Sequence, residues 1–415
     1  MTCSRCVRAA APGLMGSLAI GLLFGLVPEV CVGSSAGVSP TPKAGVTRLY
    51  YIAAEEVDWN YLPNGPNVAG LPITESEGGP PRQTGFRKAI YREYTDATFT
   101  AVKPRPVQWE HLGILGPLIR AEVGDVVRVV FKNNTKIVCS IHPHGLAYTK
   151  ESEGALYADG LANDGNAGAR VLPGQTFTYV WTVPERAGPA HGDASSVLWT
   201  YHSHFVEQNE MNAGLIGPII VTSRGMSRGD GSPKDVDREF VTAFAVFDET
   251  SSPYFEANSM KHRPPTSALR KEDPAFRQPF LMYTINGLME GNLPMLNMKR
   301  GERVRWYLFS NANEDDVHTP HWHGQTVTCM HMRMDMVNLL PMSMITADME
   351  PDQVGTWLFH CHVAEHLEGG MVARFTVAPR DRETRQRVGS APHRFPWVMP
   401  GGQQLSGSGT TLGPW

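Results

Sequence analysis

The chain carries one strand-rich segment twice. LIRAEVGDVVRVVF at 118–131 aligns without a gap on MLNMKRGERVRWYL at 295–308. Gly124 falls on Gly301, Asp125 on Glu302, Val127 on Val304 and Arg128 on Arg305. Further on, LWTYHSH at 198–204 aligns on TWLFHCH at 356–362. Both copies are built from short alternating or apolar runs broken by Gly, Pro and Asn. Such a repeat implies two copies of one β-sandwich in tandem. The 41 glycines and 32 prolines favour the same turn-rich, all-β reading, and long helical periodicity is absent. The expected organisation is a first domain at 45–223, a polar Gly/Pro-containing linker at 224–237 and a second domain at 238–379.

The ends read differently. Arg5 and Arg8 precede an apolar run, Leu14 to Val27, that is too short to span a membrane comfortably, and Ser34-Ser35-Ala36 offers a small-residue cleavage site. Residues 1–36 are therefore expected to be a signal peptide, making the mature protein secreted or periplasmic. No second apolar stretch approaches spanning length, so no stable membrane insertion is expected. The polar, Gly/Pro-rich residues 380–415 are expected to form a flexible tail. A net charge of −4 gives no reason to expect a nucleic-acid partner. Once Cys3, Cys6 and Cys31 leave with the leader, Cys139, Cys329 and Cys361 remain. An odd number is unexpected for a disulfide framework in an oxidising compartment. A metal thiolate at Cys361 accounts for it, and pairing of Cys139 with Cys329 is left open.

Cys361 sits in GTWLFHCHVAEHLEGGM, Gly355 to Met371. His366 follows it by five residues and Met371 by ten. A thiolate, an imidazole and a thioether so spaced are three of the four ligands of a blue (type 1) copper site, which needs two His and one Cys in a plane and a weak axial Met. His360 and His362 flank the cysteine. On an extended segment they point away from it, towards a different metal.

Ten of the 15 histidines fall in four tight clusters. These are His142-Pro-His144-Gly, His202-Ser-His204, His318-Thr-Pro-His321-Trp-His323-Gly, and His360-Cys-His362 with His366. Imidazole suits several metals, so the pairs alone do not name one; the attached Cys–His–Met set does. HPHG, HSH, HTPHWHG and HCHVAEHLEGGM resemble, in order, the four signature motifs of the multicopper oxidases. With two domains, the chain is similar to the two-domain, small laccase-like subgroup, and HLGILGPLIRAEVGD resembles segments of ceruloplasmin and its relatives.

The resemblance implies two cupredoxin-like Greek-key domains and four coppers. His318, Cys361 and His366 would hold the type 1 copper, with Met371 axial. His142 and His321 would hold the type 2 copper. His144, His202, His204, His323, His360 and His362 would hold the type 3 pair. Electrons would run from Cys361 through His360 and His362 to the cluster, where O₂ is reduced to water. Tyr148 matches a tyrosine that lies near the cluster in small laccases and would serve as an auxiliary electron donor. Glu153, Asp159 and Asp164 are candidate proton donors. The family's two-domain members form homotrimers in which the cluster lies between subunits, a heterologous ring; the same is expected here.

Aligning the halves indicates that only the second domain has a blue site. In the first, Cys139 aligns with His318, Ser203 with Cys361 and Gln208 with His366, and Leu215 stands roughly where Met371 does. The expected activity is laccase-type: oxidation of phenols or similar reductants coupled to O₂ reduction. The alternative is a metallo-oxidase acting on Fe(II) or Cu(I). Glu365 matches an acidic residue of ceruloplasmin-type iron sites, but Gln278 and Tyr283 stand where a Glu and a His would be expected. Seven methionines at 330–349, four in strict alternation, suit Cu(I) but also describe a strand with one buried face. A copper nitrite reductase also has two such domains in a trimer. It keeps its blue copper in the first domain, however, and needs no eight-histidine cluster.

Overall fold

The computed structural model describes residues 45–72, 83–158, 166–261, 273–313 and 316–380. The expected leader and all but Arg380 of the expected tail lie outside them.

The first sandwich begins with β1 (Thr47–Asn60), β2 (Gly85–Tyr94), β3 (Ile119–Glu122) and β4 (Val126–Asn133). Short strands β5 (His142–Pro143) and β6 (Ala147–Tyr148) precede β7 (Thr176–Thr182). β8 (Ser196–His202), helix α1 (Glu207–Ala213) and β9 (Ile216–Thr222) complete it. Its sheets run β2-β1-β4-β7-β6 and β3-β9-β8-β5.

The second sandwich opens with β10 (Arg238–Asp248), helices α2 (Phe255–Lys261) and α3 (Pro274–Arg277), and β11 (Leu281–Ile285). β12 (Leu296–Lys299), β13 (Val304–Ser310), β14 (Pro320–Trp322), β15 (Val327–Cys329) and β16 (Met332–Met334) follow. β17 (Met344–Met349), β18 (Gly355–Cys361), α4 (Ala364–Glu368) and β19 (Val372–Ala378) close it. Its sheets run β11-β10-β13-β17-β15-β16 and β12-β19-β18-β14. The repeat holds at the level of pairing. β1 lies parallel to β4 as β10 does to β13, and β3 parallel to β9 as β12 does to β19.

The turn into β4 and β13 shows how the repeated residues produce repeated structure. Asp125 accepts the Glu122 N–H, and Glu302 accepts the Lys299 N–H. Each acid also pairs with an arginine at the start of the neighbouring strand, Arg48 or Arg238. Gly124 and Gly301 take positive φ between them, a conformation that costs glycine little.

The two sandwiches have separate cores, one around Tyr179, Trp181 and Phe131, the other around Trp306, Trp322 and Phe359. A third core lies between them. β10 alternates strictly: Phe240, Phe244 and Val246 enter the second sandwich, while Val241, Ala243, Ala245 and Phe247 meet Phe86, Ile90 and Leu115 of the first. This is why β10 and β13 are buried almost throughout: both faces of their sheet are covered. Among the described residues, no helix is long and apolar enough to cross a membrane.

Cys139 and Cys329 are free thiols buried in different sandwiches, so they do not pair. The methionine run also departs from the buried-strand expectation. Met330 and His331 form the positive-φ turn between β15 and β16, and Met330, Met332 and Met336 are exposed. The reason is position: β16 is the edge strand of its sheet.

Candidate metal centres

Pairing register brings the histidines together. His142 on β5 stands opposite His202 on β8, and His321 on β14 stands opposite His360 on β18. In each His-x-His the two imidazoles share one face of the sheet. His142, His144, His202 and His204 thus gather with ring centroids 5.0 to 5.6 Å apart. His321, His323, His360 and His362 gather the same way, at 4.9 to 5.5 Å. The glycine after each first pair is dictated by packing. Gly145 and Gly324 have positive φ, and a Cβ there would run into Trp199 and Trp357 respectively, the tryptophans three residues before His202 and His360.

Main-chain carbonyls orient the rings. Nδ1 of His142, His202, His321 and His360 bonds to the carbonyl of Glu153, Ser203, Asp335 and Cys361, at 2.6 to 3.0 Å. That fixes the tautomer and leaves Nε2 inward, the arrangement a metal-binding imidazole requires. The inward nitrogens meet in equivalent pairs: His144 with His202, and His323 with His360, each Nε2 to Nε2 at 3.0 Å. Burial, reinforced by the neighbouring imidazoles, pulls His144 and His360 down to about 4 and also holds His202 well below the ordinary histidine value. Neutral imidazoles with converging lone pairs fit metal ions.

Behind the second set, Cys361 faces the opposite way and is fully buried. Its Sγ lies 3.9 Å from Nδ1 of His318 and 3.6 Å from Nδ1 of His366, and those two nitrogens are 3.0 Å apart. Asp316 accepts a hydrogen bond from Nε2 of His318 at 2.8 Å. Burial pushes the thiol up, but hydrogen bonds from His318, His366 and the Thr319 and Val363 N–H groups outweigh it and hold it at about 6. A thiolate is the form that binds metal. Met371 is buried alongside, its carbonyl accepting the Cys361 N–H at 3.1 Å. A sulfur and two Nδ1 atoms converging in a buried pocket fit a soft metal such as copper.

These geometries accompany clear likenesses to known proteins. Residues 93–225 and 259–381 each match a multicopper oxidase family profile. Human Ferroxidase HEPHL1 is 40% identical over 342 residues, which cover 80% of this chain and 29% of that protein. Human ceruloplasmin is 40% identical over 344 residues, covering 80% and 32%. The chain belongs to the multicopper oxidase family. It spans under a third of the length of these two relatives. The crystal structure of a multicopper oxidase shares its fold, with a TM-score of 0.52 at 20% identity over 80% of this chain and 89% of that one. Family membership implies copper as the metal these sites would hold.

Other residues singled out in the sequence are placed less simply. The Tyr148 ring lies edge-on to His142 at 5.8 Å, half exposed. Glu153 reaches His142 through its backbone carbonyl, whereas its carboxylate pairs with Lys150 and accepts from the Tyr157 hydroxyl. Asp159 and Asp164 lie outside the described residues. The sequence reading passed over Asp316, and Glu207, whose carboxylate stands 3.3 Å from His204 Nε2. The available signal for Glu207 was its spacing, three residues after His204.

Beside His366 opens a cleft of 390 Å³, lined by Gln278, Leu281, Tyr283, Val317, Val363 and Glu365 among others. Tyr283 donates to Glu365 at 3.2 Å, and its ring lies 5.3 Å from that of His366.

Proposed function

We propose that this multicopper oxidase takes single electrons from small organic reductants, phenols among them, and delivers four to O₂, giving two waters. One observation carries the reading: Cys361 faces two imidazoles, while the residues peptide-bonded to it on either side face a separate set of histidines. His318, Cys361 and His366, together with Met371, would hold the type 1 copper. His142 and His321 would hold the type 2 copper. His144, His202, His204, His323, His360 and His362 would hold the type 3 pair. Bound copper would supply the one-electron chemistry and the reduction of O₂.

The chain's own residues prepare this. Asp316 orients His318 and strengthens it as a donor, and the backbone carbonyls hold the cluster imidazoles in one tautomer. The cleft at His366 admits a reductant to the edge of the blue site. Its apolar walls, Leu281, Val317 and Val363, suit an aromatic ring, and Glu365 can accept the phenolic proton. Tyr148 stands in contact with His142 as an auxiliary electron donor.

The histidine sets lie in different sandwiches, and each is bordered by exposed apolar side chains: Tyr148, Leu156, Tyr157 and Val206 at the first, Met336 at the second. Apolar rims of this kind mark protein contacts. A homotrimer in which the first sandwich of one copy meets the second of the next would complete each cluster. The leader sequence suits export.

A second reading is Fe(II) oxidation, favoured by the relatives named as ferroxidases. Against it, Glu365 is the one carboxylate among the described residues lining the cleft, and Gln278 and Tyr283 occupy the positions where further ligands would be needed. Steady-state O₂ uptake with a phenol, Fe²⁺ and Cu⁺ in parallel decides the matter. The expected outcome is the highest kcat/KM with the phenol. Uptake with Fe²⁺ or Cu⁺ but not with the phenol would reassign this oxidase to the metals.

A further inference from the structure

The first sandwich keeps the frame of a blue site without its ligands. Ser203 N–H bonds to Leu215 O at 3.1 Å, as Cys361 N–H bonds to Met371 O at 3.1 Å. Ser140 N–H donates to Ser203 Oγ at 2.9 Å, as Thr319 N–H donates to Cys361 Sγ at 3.4 Å. Leu215 N–H bonds to Glu210 O at 3.1 Å, as Met371 N–H bonds to His366 O at 2.9 Å. The counterpart of His366 is therefore Glu210, not Gln208 as gapless alignment suggests; the loop around α1 is two residues longer.

Where Cys361 Sγ faces the His366 ring, Ser203 Oγ donates to Glu210 Oε2 at 2.5 Å. The same carboxylate accepts the Phe205 N–H at 3.0 Å and the Val206 N–H at 2.8 Å. Glu210 is 3% exposed, so its charge is met by these three donors. All three belong to the residues either side of His204. The Ser203 peptide also sets both imidazoles. Its carbonyl bonds to Nδ1 of His202 at 3.0 Å, and Ser140, held on Ser203 Oγ, accepts the His204 N–H at 3.0 Å through its own hydroxyl.

We propose that the Ser203–Glu210 hydrogen bond is a positioning device that aims His202 and His204 at their metals, taking the mechanical place of a metal–thiolate bond. Ser203 and Glu210 act through the histidines and touch no reacting atom. The inference rests on the four-copper reading above.

The test compares copper-loaded wild type with Ser203→Ala, Ser203→Thr and Glu210→Gln. The readouts are copper affinity by chelator competition, the near-ultraviolet band of the coupled copper pair, the blue band and Tm. The blue band, set by the other sandwich, reports folding in the same molecule. Ser203→Ala and Glu210→Gln are expected to weaken cluster copper by roughly 10-fold or more, the scale of losing a partner behind a metal ligand, and to alter the near-ultraviolet band with the blue band kept. Ser203→Thr, which retains the hydroxyl, is expected to match wild type. Unchanged copper affinity and near-ultraviolet band in Ser203→Ala would overturn the proposal, even if Tm fell. Absence of a coupled copper pair in the wild type would instead overturn the four-copper reading, and this inference with it.

Discussion

Cys361→Ser is expected to abolish the blue absorption and bring O₂ uptake to background. The loss should exceed the roughly 10- to 100-fold typical of removing an outer partner of a metal ligand, because the sulfur itself is removed. A serine hydroxyl is not ionised at neutral pH and is a poor ligand for copper. The rest of the site favours the thiolate: His318, His366 and the Thr319 N–H all point at Sγ. His360 and His362 keep their strand and partners, so copper should fall from four to three per chain. The check is an absorption spectrum with copper analysis on the same sample. A variant that stays blue would remove Cys361 from the site.

Lys88→Met should carry the largest cost in stability. Lys88 lies on β2 of the first sandwich and Glu249 just beyond β10 of the second, and neither side chain has any exposure. The ammonium pairs with Glu249 and donates to Tyr61 Oη at 2.8 Å and the Asn212 carbonyl at 2.6 Å. The Phe247 ring lies beneath it at 4.5 Å. Burial pulls the lysine down and pushes the carboxyl up, and the attraction between the two opposes both shifts. Removing the lysine alone leaves a buried carboxylate uncompensated, at a cost of about 3–5 kcal/mol. Replacing both, as Lys88→Met with Glu249→Gln, should recover most of that, since a matched neutral pair carries no unmet charge. Urea titration of the three proteins measures it. A loss below about 1 kcal/mol, the scale of an exposed ion pair, would contradict the account.

Much of the fold was legible because it was written twice. The shared G-D and G-E turns, with Arg48 and Arg238 beside them, fixed the register of both sandwiches. The histidine sites were legible for a related reason. His-x-His on a strand puts both rings on one face, so the motif alone implies its geometry. What escaped was long-range or hidden in a length change. Glu210 was masked by the longer loop around α1, which shifts the alignment by two residues. The Lys88–Glu249 pair depends on contacts between segments far apart in the chain, and Asp316 lies just two residues before His318 but belongs to none of the histidine motifs. Glu153 shows the limit of reading side chains from sequence: the residue does serve His142, but through its carbonyl, with its carboxylate turned to Lys150 and Tyr157. The methionine run had the alternation of a buried strand, yet an edge position leaves it at the surface.

The central claim is that each cluster is shared between two copies of this chain. Sedimentation velocity on copper-loaded protein, with copper per chain measured on the sedimenting species, tests it most directly. The account predicts a trimer holding four coppers per chain. A monomer that carries four coppers and consumes O₂ would contradict it.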